Sequence, residues 1–321
     1  MNINHILIIF LSSLIILYIL LVNFNKKINK ELFSIKIKNN KRFNKNKKIA
    51  FIFLTVNDVN QYAVWEKFFK GYDEYYNIYI HPKFPKKVTS FFKKYIIRNL
   101  IPTKWGDVSL VQATNNLINE ALKNKNNRKI ILVSDSCIPI KHFSYIYNSV
   151  FSNNKSWFNY YLPNLKQGSK KHYYRIISLD ASIRNYAFIH EQWFILDRKH
   201  AQLINDNTHL IKYFNFPKLP NYPKLIPDEM YYLTILNYVY PNIFKELQFP
   251  IQTRPEYLKH KFINHAIWYH PIKKTWKNYH PITFGKIEDF AIKRFKNSKA
   301  LFARKFSESS NILKYCDYII Q

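Results

Sequence analysis

Three short apolar runs, separated by stretches with helical spacing, constrain this chain more than any other feature. Residues 49–56 read IAFIFLTV, residues 76–81 read YNIYIH and residues 129–135 read KIILVSD. Runs of four to eight β-forming residues without polar alternation predict strands buried on both faces. Between them, Trp65, Phe68 and Phe69, and then Val111, Leu117, Ile118 and Leu122, recur at the spacing of one helix face. Strand and helix alternate, which predicts that the N-terminal half is an α/β layer structure with a mainly parallel sheet. Such sheets bind ligands beyond the carboxyl ends of their strands. Thr55, His81 and Asp135 fall at those ends and are candidate ligand-binding residues.

The remaining composition narrows the class. The chain has 321 residues, 47% of them apolar, so it can bury a sizeable core. Its two cysteines, Cys137 and Cys316, exclude a disulfide framework. The formal net charge is +30, of which residues 26–48 hold +9 and leave +21 for the remainder. A field of that size attracts polyanions, whether nucleic acid, lipid headgroups or the phosphates of a nucleotide-sugar. A Lys-rich solvated surface explains the same charge without any partner.

Residues 6–22 read ILIIFLSSLIILYILLV. At about 1.5 Å per residue, that run nearly spans a bilayer core. No small-residue cleavage site follows, so the expectation is an uncleaved membrane anchor over 1–25, then a basic polar stem over 26–47 and a folded domain over 48–321. The basic residues lie after the apolar run. The positive-inside rule would place the domain in the cytosol, opposite to a type II, Golgi- or ER-like topology.

Candidate chemistry centres on Asp228 and Glu229, which follow Pro227 and are expected to open a helix. Acidic residues in a first helical turn need no further explanation than capping and the dipole. They would equally serve proton transfer, because attack by a sugar hydroxyl needs a carboxylate to take its proton. No two aspartates stand two apart, and the histidines offer no HExxH spacing, so no metal site is expected. A diphosphate leaving without a metal needs fixed cations. Lys286, Arg294, Arg304 and Lys305 are candidates, although basic residues usually belong to a solvated face. Trp105 and Trp193 could stack on sugar rings, and each could equally be core.

Nine segments in order carry a resemblance: KIAFIFLTVND (48–58), WEKFFKG (65–71), YIHP (79–82), WGDVSLVQA (105–113), ILVSDSCIPI (131–140), EQWFILDR (191–198), PDEMYYLTIL (227–236), HPITFG (280–285) and LFARKF (301–306). Together they resemble the core-2/I-branching β-1,6-N-acetylglucosaminyltransferase family, in its plant-like branch. The resemblance implies a GT-A-like, Rossmann-related glycosyltransferase domain behind a single type II membrane helix. It implies inverting, metal-independent transfer with no cofactor, from UDP-N-acetylglucosamine, UDP-xylose or UDP-glucuronic acid to a glycan or glycoprotein acceptor. It places the catalytic base on Glu229 and a diphosphate-binding cation on Lys305, with Arg304 beside it. A second family cation has no clear counterpart; His280 or Lys277 stands in that region, next to Tyr279. The donor set is then Lys305, Arg304, Thr55, His81, Asp135 and His280, and the acceptor set Glu191, Trp193, Asp228 and Trp105. His190 and Glu191 replace the family's usual Gly-Ser, which touches acceptor choice. A basic nucleic-acid-binding membrane protein and a catalytically dead sugar-binding relative are the competing readings. With the resemblance in place, nucleic acid is not an expected partner.

Overall fold

The computed structural model describes residues 43–161, 170–214, 225–249, 262–276 and 280–320. The expected anchor, most of the stem, Lys277 and Tyr279 lie outside the described residues. Among those described, no helix is long and apolar enough to cross a membrane.

The strands are β1 (Lys48–Thr55), β2 (Tyr76–Pro82), β3 (Asn127–Ser134), β4 (Ile138–Pro139), β5 (Trp157–Tyr161), β6 (Ile189–Asp197), β7 (Asn264–Ala266), β8 (Tyr269–His270), β9 (Thr275–Trp276) and β10 (Phe302–Arg304). The longer helices are α1 (Tyr62–Phe69), α2 (Ser109–Leu122), α3 (Phe143–Val150), α4 (Lys170–Ile177), α5 (Arg198–Asp206), α6 (Tyr231–Val239) and α7 (Asp289–Lys296).

The main sheet has the order β2-β1-β3-β6-β5. β1 pairs parallel with β2 on one side and β3 on the other. Its residues Ile49 to Phe53 have no exposed surface, as a run buried on both faces requires. β6 runs antiparallel to β3, and β5 antiparallel to β6. The three strands expected from the N-terminal apolar runs are thus parallel to one another, and the antiparallel β6 and β5 make the whole sheet mixed. Apolar runs report burial, not direction, so the reversal was not written in the periodicity.

Helix α1 packs Val64, Trp65, Phe68 and Phe69 inward. Trp65 has no exposed surface and meets Phe51, Phe53 and Phe302 at ring-centroid distances of 6.0, 4.9 and 5.9 Å. Its indole Nε1 donates to the Cys137 carbonyl at 2.9 Å, which satisfies the one polar atom of a fully buried ring. Both cysteines are buried free thiols.

A second sheet orders β4-β10-β7, with β10 antiparallel to β4 and parallel to β7. It lies on an apolar cluster that includes Ile138, Ile282, Phe284, Phe295 and Phe306. This small sheet draws the C-terminal segment back onto the end of β3. Phe306 N donates to Ser136 O at 3.0 Å, and the Asn60 side-chain amide donates to Phe306 O at 2.8 Å. The Gln61 side-chain amide donates to Ser307 O at 2.6 Å. Arg304 and Lys305 are thereby fixed beside Asp135.

Candidate active site

The carboxyl end of β3 supplies Asp135. It is largely shut from water, and that burial raises its pKa. The Val56 amide donates to its Oδ2 at 3.0 Å and works the other way, as do the nearby charges of Arg304 and Lys305. Thr55 and His81 stand at the neighbouring strand ends but are turned to structural contacts. Thr55 is buried, and its hydroxyl donates to Asn57 O at 2.7 Å. His81 has no exposed surface, and its Nε2 accepts from Ile101 N at 3.1 Å, so burial holds its pKa down.

Arg304 is the hub of the site. Its guanidinium lies over the Trp193 ring, 4.4 Å from the centroid, within the range of a cation–π contact. It is in electrostatic reach of Glu191, Asp135 and Glu229, and of Asp228. Trp193 is 4% exposed, so one of its faces is occupied by Arg304 rather than open to a sugar. Lys305 sits next to it, with an ammonium pKa lowered by burial and by the Arg304 charge. His280 is exposed, and partial desolvation together with Lys305 and Arg304 lowers its pKa. Its ring meets Trp105 edge-on at 5.6 Å; Trp105 is 57% exposed and offers the open aromatic surface here. Lys286 and Arg294 are exposed.

Asp228 and Glu229 do not open the long helix. They form a separate 3-10 turn, Pro227–Glu229, preceded by Ile226 in the left-handed region at φ 50. Met230 leaves helical geometry before α6 begins at Tyr231. The turn rests against β6, where Glu191 and Trp193 lie. The two carboxylates differ sharply. Asp228 is buried, and burial with the adjacent Glu229 charge pushes its pKa up to about 7. The Glu229 side chain is 39% exposed, and its Oε2 accepts from Arg175 Nη1 at 2.8 Å.

Arg175, on α4, was not singled out in the sequence. Its side chain is 3% exposed. A signal existed in the bias itself: nine arginines stand among fifty basic residues, so each survives against a strong preference for lysine. Arg198 is another, capping Leu122 O, Asn124 O and Asn127 O.

Buried polar atoms without a hydrogen-bond partner around this site include Arg175 Nε, Arg304 Nε and Asp228 Oδ1. Each such atom costs about 1–3 kcal/mol unless a ligand or water completes it. On β6, Glu191 Oε2 accepts from the Asn159 amide at 3.0 Å, and His190 is buried with a pKa lowered to about 4, mainly by desolvation. The arrangement combines a half-exposed carboxylate, a protonatable neighbour and two cations. Those are the parts for removing one proton and receiving one anionic leaving group. Among the described residues, no three His, Cys, Asp or Glu side chains come together to hold a metal ion.

Comparisons with known proteins converge on one family. A family model described as Core-2/I-Branching enzyme matches residues 49–298. "Glycosyltransferase BC10" from Oryza sativa subsp. japonica is 24% identical over 299 residues, covering 84% of this chain and 70% of that protein. A crystal structure of a protein from STIV matches with TM-score 0.24 and 9% identity, over 48% of this chain and 67% of that one. At that score it carries no argument about fold.

Proposed function

The chain belongs to the Core-2/I-branching enzyme family and is a glycosyltransferase; from that premise we propose that it performs inverting, metal-independent transfer from a UDP-sugar, with Glu229 as the base. The fold assignment that accompanies this reading is GT-A-like. The donor lies over the carboxyl ends of β1 and β3, with its diphosphate at Arg304 and Lys305. Glu229 takes the proton of an acceptor hydroxyl as that oxygen attacks the anomeric carbon. The bond from carbon to the diphosphate oxygen breaks on the opposite face, and UDP leaves with the electron pair. Arg304 and Lys305 offset the charge that develops on it. Trp105 offers a face for a sugar ring, and Glu191 accepts from acceptor hydroxyls.

One observation carries this reading: Glu229, half-exposed and held by Arg175, stands within electrostatic reach of Arg304, the chain neighbour of Lys305. The proposed donor is UDP-N-acetylglucosamine; xylosyl and glucuronosyl transfer are the alternatives within the same chemistry. Membrane attachment through residues 6–22 is part of the proposal.

The test is release of UDP from UDP-N-acetylglucosamine, UDP-xylose and UDP-glucuronic acid, each with and without EDTA. EDTA-resistant release from the first is expected. Release abolished by EDTA would overturn metal independence. Release from another donor alone would reassign the sugar.

A further inference from the structure

Outside the catalytic cleft, α2 and α5 border an open groove of about 310 Å³. That is at the small end of the range for small-molecule sites. Helix α2 lines it with Gln112, Asn115, Asn116 and Asn119, α5 with Asn205, and the following turn with Thr208 and Ile211. The four α2 residues fall at i, i+3, i+4 and i+7, so they form one helix face. No charged side chain lines the groove. Asparagine is a poorer helix former by several tenths of a kcal/mol, so three of them on one face of α2 are not there for helix stability.

The polar atoms are also unspent. Among the described residues, the side chains of Gln112, Asn119, Asn205 and Thr208 make no hydrogen bond. Asn115 is 7% exposed, and its Oδ1 has no partner, while its Nδ2 reaches only Tyr231 Oη at 3.5 Å. A carboxamide presents a donor and an acceptor side by side, which matches the vicinal hydroxyls of a sugar. The absence of charge disfavours phosphates and acidic peptides as occupants. Ile211 adds an apolar wall for the C–H face of a ring.

We propose that this groove binds a neutral oligosaccharide segment, at a site separate from the transfer site. Tyr231, which Asn115 touches, is two residues beyond Glu229 and begins α6. The groove is thus set to hold part of a glycan away from the reacting hydroxyl. This goes beyond the transfer reaction and stands whether or not Glu229 is the base.

The experiment titrates chitotriose, cellotriose and xylotriose onto the full chain with UDP saturating, followed by ligand-observed NMR. At least one trisaccharide binds saturably. Gln112→Leu with Asn119→Leu weakens that binding about tenfold, as the loss of two neutral hydrogen bonds predicts, and leaves UDP release unchanged. If that pair disturbs folding, Asn205→Lys, which crowds the opposite wall, gives the same loss. The proposal is overturned if none of the three sugars binds. Binding that survives these substitutions also overturns it, because the sugar then sits at the acceptor site alone. Trisaccharide binding that these substitutions weaken, in a native chain that releases no UDP from any donor, would instead fault the transfer reading and leave the groove standing.

Discussion

Glu229 is held as much as it is exposed. Arg175 Nη1 donates to its Oε2 at 2.8 Å from an almost fully buried position on α4. A bidentate-capable, always charged guanidinium fixes a carboxylate in a way that a flexible lysine does not. Arg175→Ala should therefore lower kcat by ~10²-fold, the scale of a misplaced catalytic group, with little change in donor KM. Steady-state kinetics checks this; an unchanged kcat would make the pair a surface accident. Asp228 next door has a pKa of about 7. Between the ordinary carboxylate value and about 7, the folded chain keeps a proton there that the unfolded chain releases. That group therefore weakens the fold as pH rises through this window. Asp228→Asn removes the dependence, so the variant should gain on the native chain between about pH 4.5 and 7.5. The gain is on the order of 1.4 kcal/mol for each tenfold difference in proton affinity between the folded and unfolded chains. Urea midpoints at the two pH values measure it, and a gap that does not widen contradicts it. Asp228 and Glu229 could be named from the sequence. Which is buried and which half-exposed could not, because that depends on a left-handed Ile226 and on β6, far away in the chain.

At the scale of elements, β10 decides where the cations go. Its three residues are held between β4 and β7, and Phe302 packs on Trp65 and Phe51. Phe302→Ala should cost about 3–5 kcal/mol, as expected for a fully buried ring. It should also loosen UDP, because Arg304 and Lys305 lose their support. Lys305→Ala leaves the packing intact and should weaken UDP binding by ~10- to 100-fold, the worth of one charge-assisted hydrogen bond. Calorimetry on the two variants separates the cases: a stability loss without a UDP effect would detach β10 from the site. The strands β1, β2 and β3 were readable as short apolar runs, and the helices α1 and α2 as apolar residues spaced on one face. The small second sheet was not. Strands of two or three residues have no period, and they form only because the apolar cluster around Phe284 and Phe306 brings distant segments together.

For the whole molecule, the charge of +30 is the least specific feature and the easiest to misread. Non-specific attraction to DNA should fall by orders of magnitude between about 50 and 200 mM salt, because it depends on counterion release. UDP held in a partly buried cleft should lose less than about tenfold over the same range. Equal salt slopes for the two ligands would favour the nucleic-acid reading. What the sequence made legible at this scale was the order of nine segments, and with it the family. The meeting of Arg304 with Glu191, Asp135 and Glu229 was beyond it, since those residues come from four separate parts of the chain and only packing brings them to one place.

The most direct test of the account is the turnover of Glu229→Gln, measured by single-turnover UDP release with the donor and acceptor that the native chain uses. The substitution keeps the size of the side chain and an oxygen that can accept from Arg175, and removes its charge and its capacity to take a proton. If Glu229 is the base, the transfer rate falls ~10²–10⁴-fold with donor binding retained. Turnover within a factor of about two of the native chain would show that another group takes the proton.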